Sequence, residues 1–351
     1  MADAGEAELA ITSCQLIDSG WDDAWDALTA SCPHTGFMQS SDWMAFKRLE
    51  GFITPRFGIF DASGTLRGGG ACLFYPSHAQ ETMVICPQGP ILPWAETEPS
   101  RHALRLLIAE VEKYVETHGG LGLRIEPRIA RPVPRILRNW VRSPVDLDPE
   151  HSLVIDVGEP ATEQSLLRAM HPKGRYNIKV AERHGVTVRR STNMRDLRPF
   201  HAMFLDTSNR NGFFAEPYSF FVNMASMLFP VGMAELFMAE FDGALLSAAM
   251  VIRYGKRATF LYGASSAHNR HVMPTYAMHW NVIRAARAAG CTEYDLYGFD
   301  PYDQPDHAYA GFSRFKRQFG GRLFTAIGAR DLVFYDRLAD RIAEKLAQME
   351  D

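Results

Sequence analysis

The order of predicted secondary-structure elements constrains the fold most strongly, because the same order can be followed twice along the chain. In the first half, residues 56–74 have the pattern of a β-hairpin with its turn at 61–64, and a strand follows at 82–85. Residues 101–118 place apolar side chains three and four positions apart and end at two glycines, which predicts a helix. A strand at 121–125 completes the order of hairpin, strand, helix and strand.

The second half repeats this order with hardly any residue identity. Residues 235–253 predict a hairpin around an Asp-Gly turn, 258–262 a strand, 275–289 a helix that ends before a glycine, and 293–297 a last strand. Two such units predict an α/β protein with duplicated domains around mixed sheets. A chance likeness between two unrelated mixed domains is the alternative.

The chain length supports two domains. At 351 residues the chain is too long for one simple core, and we place the domains at 1–150 and 151–351. No low-complexity stretch or long linker lies between the two halves.

The composition excludes several classes of protein. Five cysteines without a Cys-x-x-Cys pair predict neither a disulfide framework nor a zinc site, and His268, His271 and His279 lack carboxylates at ligand spacing, so no metal is expected. The acidic N-terminus does not resemble a signal peptide, and no apolar run is long enough to span a membrane, so a cytoplasmic protein is expected. A net charge of −4 argues against a protein that binds polyanions over its whole surface, and no DNA partner is expected.

A basic segment stands out against this acidic background. Between Arg168 and Arg198, nine Lys or Arg residues face two acidic residues, a net of +7. After a Pro-Gly interruption, residues 174–184 predict a helix that carries three cations on one face, at intervals of four residues: Arg175, Lys179 and Arg183. Aligned cations favour an anionic partner such as phosphate or RNA, and a solvated helix face is the alternative.

A late segment combines carboxylates, cations and aromatic residues. Residues 294–300 predict a strand that ends in carboxylates, and residues 311–321 predict a cationic, aromatic strand and turn. Lys316 lies between Phe315 and Phe319, an arrangement suited to stabilising negative charge that develops during a reaction. The alternative for Lys316 is an exposed cation on a strand.

Several segments carry a resemblance, in order and at similar spacing, from Phe37 to Gly328. They are Phe37-Met-Gln-Ser with Trp43-Met-Ala-Phe-Lys47, Arg175 with Ala181-Glu-Arg-His-Gly-Val-Thr-Val188, Thr207-Ser-Asn-Arg210-Asn-Gly-Phe, Leu261-Tyr-Gly-Ala-Ser265, Pro274-Thr-Tyr-Ala-Met-His-Trp280, Tyr294-Asp with Gly298, and Gly311 with Phe315-Lys316 and Phe319-Gly-Gly321. Together these segments resemble the Fem family of non-ribosomal aminoacyltransferases.

The resemblance implies a fold and a reaction. The fold is a pair of acetyltransferase-like (GNAT-like) domains, the first on the acceptor side and the second on the aminoacyl-tRNA side, without the coiled-coil arm of some members. The reaction moves an amino acid from aminoacyl-tRNA to an amine of a peptide, either a peptidoglycan precursor or a small peptide natural product. Aminoacyl-tRNA is a co-substrate, so no cofactor is expected. A lipid-linked acceptor would bring peripheral membrane contact.

The resemblance also implies roles for particular residues. Lys316, positioned by Phe315, would serve the tetrahedral oxyanion or the tRNA end, and Glu126 would accept the proton of the amine or orient it. Glu126 could instead be a structural partner of a nearby arginine. The tRNA would be bound by the basic helix and by two cations beside Lys316, giving the set Lys173, Arg175, Lys179, Arg183, Arg314 and Arg317.

The resemblance places the acceptor against Lys47, Arg210 and Tyr262, where a surface lysine and a core tyrosine are the alternatives for Lys47 and Tyr262. One position departs from the family. Glu216 stands where compact members can carry an arginine that grips a nucleotide-linked acceptor, and Phe220 stands where they have a tyrosine. A carboxylate would repel a diphosphate, so the acceptor is expected to differ from a nucleotide- or lipid-linked muropeptide.

Two other functions remain open. An acyl-CoA-dependent N-acyltransferase of the same fold would need an Arg/Gln-x-x-Gly-x-Gly/Ala turn for pyrophosphate, whereas residues 270–275 read Arg-His-Val-Met-Pro-Thr, without a glycine. A non-catalytic binding protein that keeps the fold is the second alternative, and loss of activity on substitution of Lys316 would argue against it.

Overall fold

The computed structural model describes residues 10–75, 82–304, 310–335 and 338–339. The chain divides into two compact units, one made of Met1–Glu150 with Ala326–Asp351 and the other of His151–Thr325. The assignment of all residues from 151 to 351 to the second domain is therefore wrong, because the chain returns to the first unit after Thr325.

The secondary-structure elements are numbered in chain order over the described residues. The strands are β1 (Ile11–Leu16), β2 (Arg56–Asp61), β3 (Leu66–Ala71), β4 (Val84–Cys86), β5 (Gly122–Ile125), β6 (Val141–Arg142), β7 (His151–Asp156), β8 (Thr187–Ser191), β9 (Ala234–Phe241), β10 (Ala244–Tyr254), β11 (Arg257–Ser265), β12 (Glu293–Gly298), β13 (Arg322–Thr325) and β14 (Arg330–Val333). The helices are α1 (Asp22–Ser31), α2 (Ser41–Leu49), α3 (Glu98–His118), α4 (Glu163–Ala169), α5 (Pro172–His184), α6 (Leu197–Asn211), α7 (Tyr218–Leu228), α8 (Pro274–Ala288) and α9 (Ala310–Lys316).

The predicted α/β class with mixed sheets is confirmed, and both halves contain the predicted hairpin, strand, helix and strand. In the first unit these are β2–β3, β4, α3 and β5, and in the second they are β9–β10, β11, α8 and β12. The β4–β5 and β11–β12 pairs are both parallel, as a strand–helix–strand crossover requires.

The first unit contains a three-stranded sheet, β1-β2-β3, and a four-stranded sheet, β4-β5-β14-β6. Helix α3 packs on β1, β2 and β5 through a buried stripe of Leu104, Leu107, Val111 and Val115, spaced three and four residues apart. Strand β14 brings the chain back because it pairs antiparallel with β5, and Arg124 and Asp331 form an ion pair of 2.7 Å across this pair.

The second unit is built on one seven-stranded sheet, in the order β13-β7-β12-β11-β10-β9-β8. All neighbours are antiparallel except β11 and β12, whose parallel register covers only Arg257–Thr259 and Glu293–Asp295. Beyond that register β11 stays paired with β10, and β12 pairs with β7 at Gly298. The two central strands therefore diverge, and the sheet opens at its middle.

Two sequence-based assignments need correction. The basic helix α5 begins at Pro172 rather than at 174, because proline is well tolerated at the first helical position, and Gly174 lies inside it against the backbone of Gln318. The predicted strand and turn around Lys316 is instead the short helix α9, followed by a 3₁₀ turn at Arg317–Phe319. Phe312, Phe315 and Phe319 are three and four residues apart in the sequence, which is the spacing of neighbours on one face of a helix.

No helix within the described ranges is both long enough and apolar enough to cross a membrane.

Candidate functional site

A cavity of about 630 Å³ occupies the gap between the diverging strands of the second unit. Its walls come from β11, from the end of β12, from the start of α8 and from α9. Most of the lining is aromatic or aliphatic, and the polar side chains among it include Lys316, His279, Thr207 and Arg270. A few polar groups in an apolar, concave site are typical of a pocket that binds and orients a small reactive group.

Lys316 lies at the end of α9 and lines this cavity. Its side chain is buried, its Nζ donates a hydrogen bond of 2.5 Å to the backbone oxygen of Gly298, and the Nζ lies 5.9 Å from the centre of the Phe260 ring. Burial lowers the pKa of Lys316 to about 8, while the charge of Asp295 acts in the opposite direction. The alternative of an exposed strand cation is therefore wrong.

Asp295 is a buried carboxylate of β12 that the sequence did not single out as a functional residue. Its Oδ1 accepts a hydrogen bond of 2.8 Å from the backbone N–H of Tyr297, which has a φ of 61°. The β12–β7 register shifts between Asp295 and Gly298, so the carboxylate holds the irregular end of the strand beside the cavity. Its charge favours the protonated form of Lys316.

His279 and Tyr294 form a buried polar pair at the same site. The His279 ring lines the cavity, and its Nδ1 lies 2.8 Å from the phenol oxygen of Tyr294. Burial and the nearby charge of Lys316 lower the pKa of His279 to about 3, so its imidazole is neutral. The sequence predicted that His279 does not bind a metal. In the described residues, no group of three or more His, Cys, Asp or Glu side chains is placed to hold a metal ion.

Aromatic rings surround these polar groups. Phe315 lies 5.1 Å from Tyr276 and 5.2 Å from Phe319, centre to centre, and the His279 ring lies 5.4 Å from Phe315. The predicted neighbour of Lys316 thus packs on α8 and lines the cavity. Such packing fixes α9, and with it the Lys316 side chain.

The two cations that flank Lys316 have different environments. Arg314 is exposed on α9. Arg317 forms an ion pair of 3.0 Å with Asp303, donates to the backbone oxygen of Asp300 and lies over the Phe299 ring. Arg317 is therefore engaged in holding its own loop, and Arg314 is the more available of the two.

Two predicted acceptor residues adjoin the cavity. Tyr262 lines it and packs edge-on against Phe204 and Phe221. Arg210 donates a hydrogen bond of 2.8 Å to the backbone oxygen of Ser265, a lining residue. Glu216 is half-buried on the segment before α7, where its backbone oxygen lies 3.0 Å from Nε2 of His201.

The other two predicted site residues, Lys47 and Glu126, belong to the first unit. The Nζ of Lys47 lies 4.7 Å from the centre of the Phe52 ring. Glu126 is buried, and its carboxylate accepts hydrogen bonds from the backbone amides of Leu147 and Asp148 at 3.0 and 2.9 Å. These two amides are hydrogen-bond partners that the sequence did not predict.

Burial raises the pKa of Glu126 to about 7, although its two amide partners act in the opposite direction. Because the folded pKa lies above the unfolded value, the folded protein binds the extra proton, and stability falls as pH rises from about 4.5 to 7. We expect Glu126→Gln to remove about 2–3 kcal/mol of this pH-dependent loss. Urea unfolding of the wild-type and Glu126→Gln proteins at pH 5, 6, 7 and 8 gives the free energy of unfolding at each pH. If that free energy changes with pH to the same extent in both proteins, the prediction is contradicted.

The basic helix α5 presents fewer cations to solvent than its sequence suggested. Lys173, Lys179 and Arg183 are exposed, and Arg183 lies over the exposed ring of Tyr176. Arg175 is half-buried, and its guanidinium donates to backbone oxygens at the end of α4, including those of Arg168 at 3.2 Å and Met170. Its place in the tRNA-binding set is weakened by this capping role.

Comparison with known proteins agrees with the division of the chain into two units. Residues 22–132 match the model of the FemAB family, and residues 172–317 match the model of the acetyltransferase (GNAT) domain. The lipid II:glycine glycyltransferase of Staphylococcus epidermidis is 22% identical over 88% of this chain and 90% of its own length. The protein of the same name from Staphylococcus aureus is 21% identical over 91% and 93%.

Solved structures show the same fold. A crystal structure of FemX superposes with a TM-score of 0.83 at 20% identity, over 94% of this chain and 99% of that one. A tandem GNAT protein from the clavulanic acid biosynthesis pathway superposes with a TM-score of 0.53 at 13% identity, over 91% and 96%. The expected pair of GNAT-like domains is thus confirmed.

Proposed function

We propose that this chain, which belongs to the Fem family of acyltransferases, transfers an amino acid from aminoacyl-tRNA to an amine of a peptide acceptor. The observation that carries the proposal is the buried Lys316 at the cavity between the diverging strands of a GNAT-like unit. Relatives named lipid II:glycine glycyltransferase support the peptide of a peptidoglycan precursor as the acceptor. Glu216, in place of a phosphate-binding arginine, favours a small peptide as a second candidate acceptor.

The proposed step needs neither ATP nor a covalent enzyme intermediate, because the ester on the tRNA end is already activated. The amine attacks the ester carbonyl carbon, a C–N bond forms, and the carbonyl electron pair moves onto oxygen. The C–O bond to the ribose then breaks, and the proton lost by the amine ends on the ribose oxygen. We assign Lys316 to the oxyanion, since a cation in an apolar site stabilises developing charge strongly.

Phe315 and Glu126 complete the proposed catalytic set. Phe315 holds Lys316 by packing between α8 and α9. Glu126, with a pKa of about 7, has the proton affinity that suits a group accepting the proton of the amine or orienting it. We assign Lys47, Arg210 and Tyr262 to the acceptor.

An acyl-CoA donor is less well supported by the start of α8. The amides of Val272, Met273 and Tyr276 donate to backbone oxygens of Asn269, Arg270 and Met273. Pro274, at the first helical position, has no N–H. Few amides at this helix start are thus left for a pyrophosphate, which is the group that such an end would bind.

The proposal is tested by incubating the protein with a tRNA pool charged with labelled amino acids and with candidate peptides, each free, nucleotide-linked and lipid-linked. We expect a peptide product that disappears after RNase treatment and that the Lys316→Met variant forms at least about 10²-fold more slowly. Acetyl-CoA serves as the control donor. An RNase-resistant acetylated product would overturn the aminoacyl-tRNA donor, and failure with every donor would favour a binding protein.

We further propose that the exposed cations of α5 bind the tRNA. The double variant Lys179→Glu with Arg183→Glu should raise the KM for aminoacyl-tRNA about tenfold or more and leave kcat within a factor of about two, because these contacts are electrostatic and neither side chain lines the cavity. The wild-type KM should also rise steeply with salt. Steady-state kinetics at several salt concentrations provide the measurement.

The matched control for this double variant is Lys113→Glu, which reverses an exposed charge on α3 of the first unit. Its KM should stay within a factor of about two of wild type, since a single exposed charge outside the basic helix is largely screened by salt. Equal effects of the two charge reversals would remove α5 from the tRNA interface.

A further inference from the structure

We infer that His279 is a second hydrogen-bond donor to the oxyanion, through Nε2–H, and that Tyr294 fixes the ring nitrogen that carries the proton. The inference rests on the proposed acyl transfer and deepens it by naming a residue that the sequence resemblance did not assign. It would make the cavity a two-donor oxyanion site, with one charged donor, Lys316, and one neutral donor.

The hydrogen bond between the two side chains determines the tautomer of His279. Tyr294 is fully buried, and its phenol oxygen lies 2.8 Å from Nδ1 of His279. A buried O–H that made no hydrogen bond would cost about 1–3 kcal/mol, so the phenol donates and Nδ1 accepts. In a neutral imidazole with Nδ1 as acceptor, the proton is on Nε2.

The surroundings of His279 are shared with Lys316. Both side chains line the cavity. The His279 ring lies 4.7 Å from the Phe260 ring, centre to centre, and the Nζ of Lys316 lies 5.9 Å from the same ring centre. The charge of Lys316 is also close enough to depress the pKa of His279. A substrate carbonyl in this part of the cavity would therefore meet both donors in apolar surroundings.

The imidazole suits donation without proton transfer. Its pKa of about 3 keeps it neutral at every pH at which the enzyme would work. The Nε2–H can then stabilise the oxyanion and still hold its proton throughout the step. The proton from the amine leaves with the ribose oxygen, as in the proposed reaction, and no bond to His279 forms or breaks.

A purely structural histidine is the competing explanation, and it predicts different chemistry. The rings of Phe260, Phe315 and Phe319 lie between 4.7 and 5.4 Å from His279, centre to centre. If His279 only filled this space, leucine would replace it with little effect on the chemical step. If Nε2–H is used, glutamine should preserve function better than leucine, because its amide N–H₂ can occupy the position of Nε2–H.

The first experiment measures kcat, KM and Tm for three variants. His279→Leu should lower kcat about 10²-fold with KM within about threefold, whereas His279→Gln should stay within about tenfold of wild type. Tyr294→Phe should lower kcat by a smaller factor, because the tautomer is no longer fixed. A kcat for His279→Leu within threefold of wild type would overturn the inference, as would equal losses in the leucine and glutamine variants when their Tm values match.

The second experiment is independent of turnover and covers variants that fail to fold. Histidine side-chain ¹⁵N NMR of the wild-type protein should show a proton on Nε2 and none on Nδ1 of His279. Addition of an aminoacyl-amide analogue of the tRNA 3′ adenosine should shift that Nε2–H signal. A proton on Nδ1, or a signal that the analogue leaves unchanged, would overturn the inference.

The proposed function and the role of His279 can be contradicted separately. Wild-type protein that transfers no amino acid from any charged tRNA would contradict the proposed function, and the tautomer of His279 would still be read from the NMR spectrum. Wild-type protein that transfers normally, with His279→Leu equally active, would contradict the role of His279 alone.

Discussion

Replacing Lys316 with methionine is expected to lower kcat about 10²–10³-fold while the KM for each substrate changes by less than about threefold, because the ammonium acts mainly on charge that appears in the transition state. Methionine has a similar length and suits the aromatic surroundings of the side chain. Single-turnover rates with saturating aminoacyl-tRNA and peptide separate the chemical step from product release.

A structural role for Lys316 makes the opposite prediction. The Nζ donates to the backbone oxygen of Gly298, so the side chain could serve only to tie α9 to β12. In that case Lys316→Met would lower Tm and leave kcat within threefold in the folded fraction. The Lys316→Ala variant with added ethylamine is the matched control. A small ammonium that enters the cavity should restore part of kcat, but it cannot restore the link between α9 and β12 that the lysine side chain provides.

The pH dependence follows from the same lysine. The pKa of about 8 means that the ammonium is present at neutral pH and is lost above pH 8. The rate of the chemical step should therefore fall on the alkaline side with an apparent pKa of about 8, and this limb should be absent from the residual activity of Lys316→Met.

Local sequence patterns predicted the repeated elements well but not α9. The α3 and α8 helices run for 21 and 15 residues, long enough for apolar periodicity to be unambiguous. Helix α9 has seven residues, rich in phenylalanine, which favours strands when taken alone. Its helical form depends on packing of Phe315 against Tyr276, a contact between residues far apart in the sequence.

The sequence located the candidate cations but did not show which of them are available to bind a ligand. The sequence identified Lys316 through its aromatic neighbours, but it gave Arg175 the same weight as Lys179. The difference is that Arg175 caps the end of α4, a use that depends on the turn between the two helices. Similarly, Asp295 and His279 become candidates only once strand divergence places them beside the buried Lys316.

Asp295→Asn is expected to move the alkaline limb of the pH–rate profile to lower pH by about 1–3 units, since a nearby opposite charge shifts a pKa by about that much. Asp295 raises the pKa of Lys316, which burial has already lowered, so its removal leaves burial unopposed. At pH 8 kcat should fall about fivefold or more, and part of it should return at pH 6, where a larger fraction of Lys316 is protonated.

Asp300→Asn is the matched control, because Asp300 is equally buried and follows the same strand. Its carboxylate accepts hydrogen bonds from the amides of Tyr302 and Gln304, and it is not among the groups that shift the pKa of Lys316. Asp300→Asn should therefore keep the alkaline limb of the pH–rate profile at its wild-type position, even if kcat changes. If the alkaline limb of the pH–rate profile stays in place in Asp295→Asn, or moves equally in both variants, the charge of Asp295 does not control the pKa of Lys316. A selective shift would tie the end of β12 to catalysis, because the carboxylate that holds the irregular strand end would also keep the lysine charged.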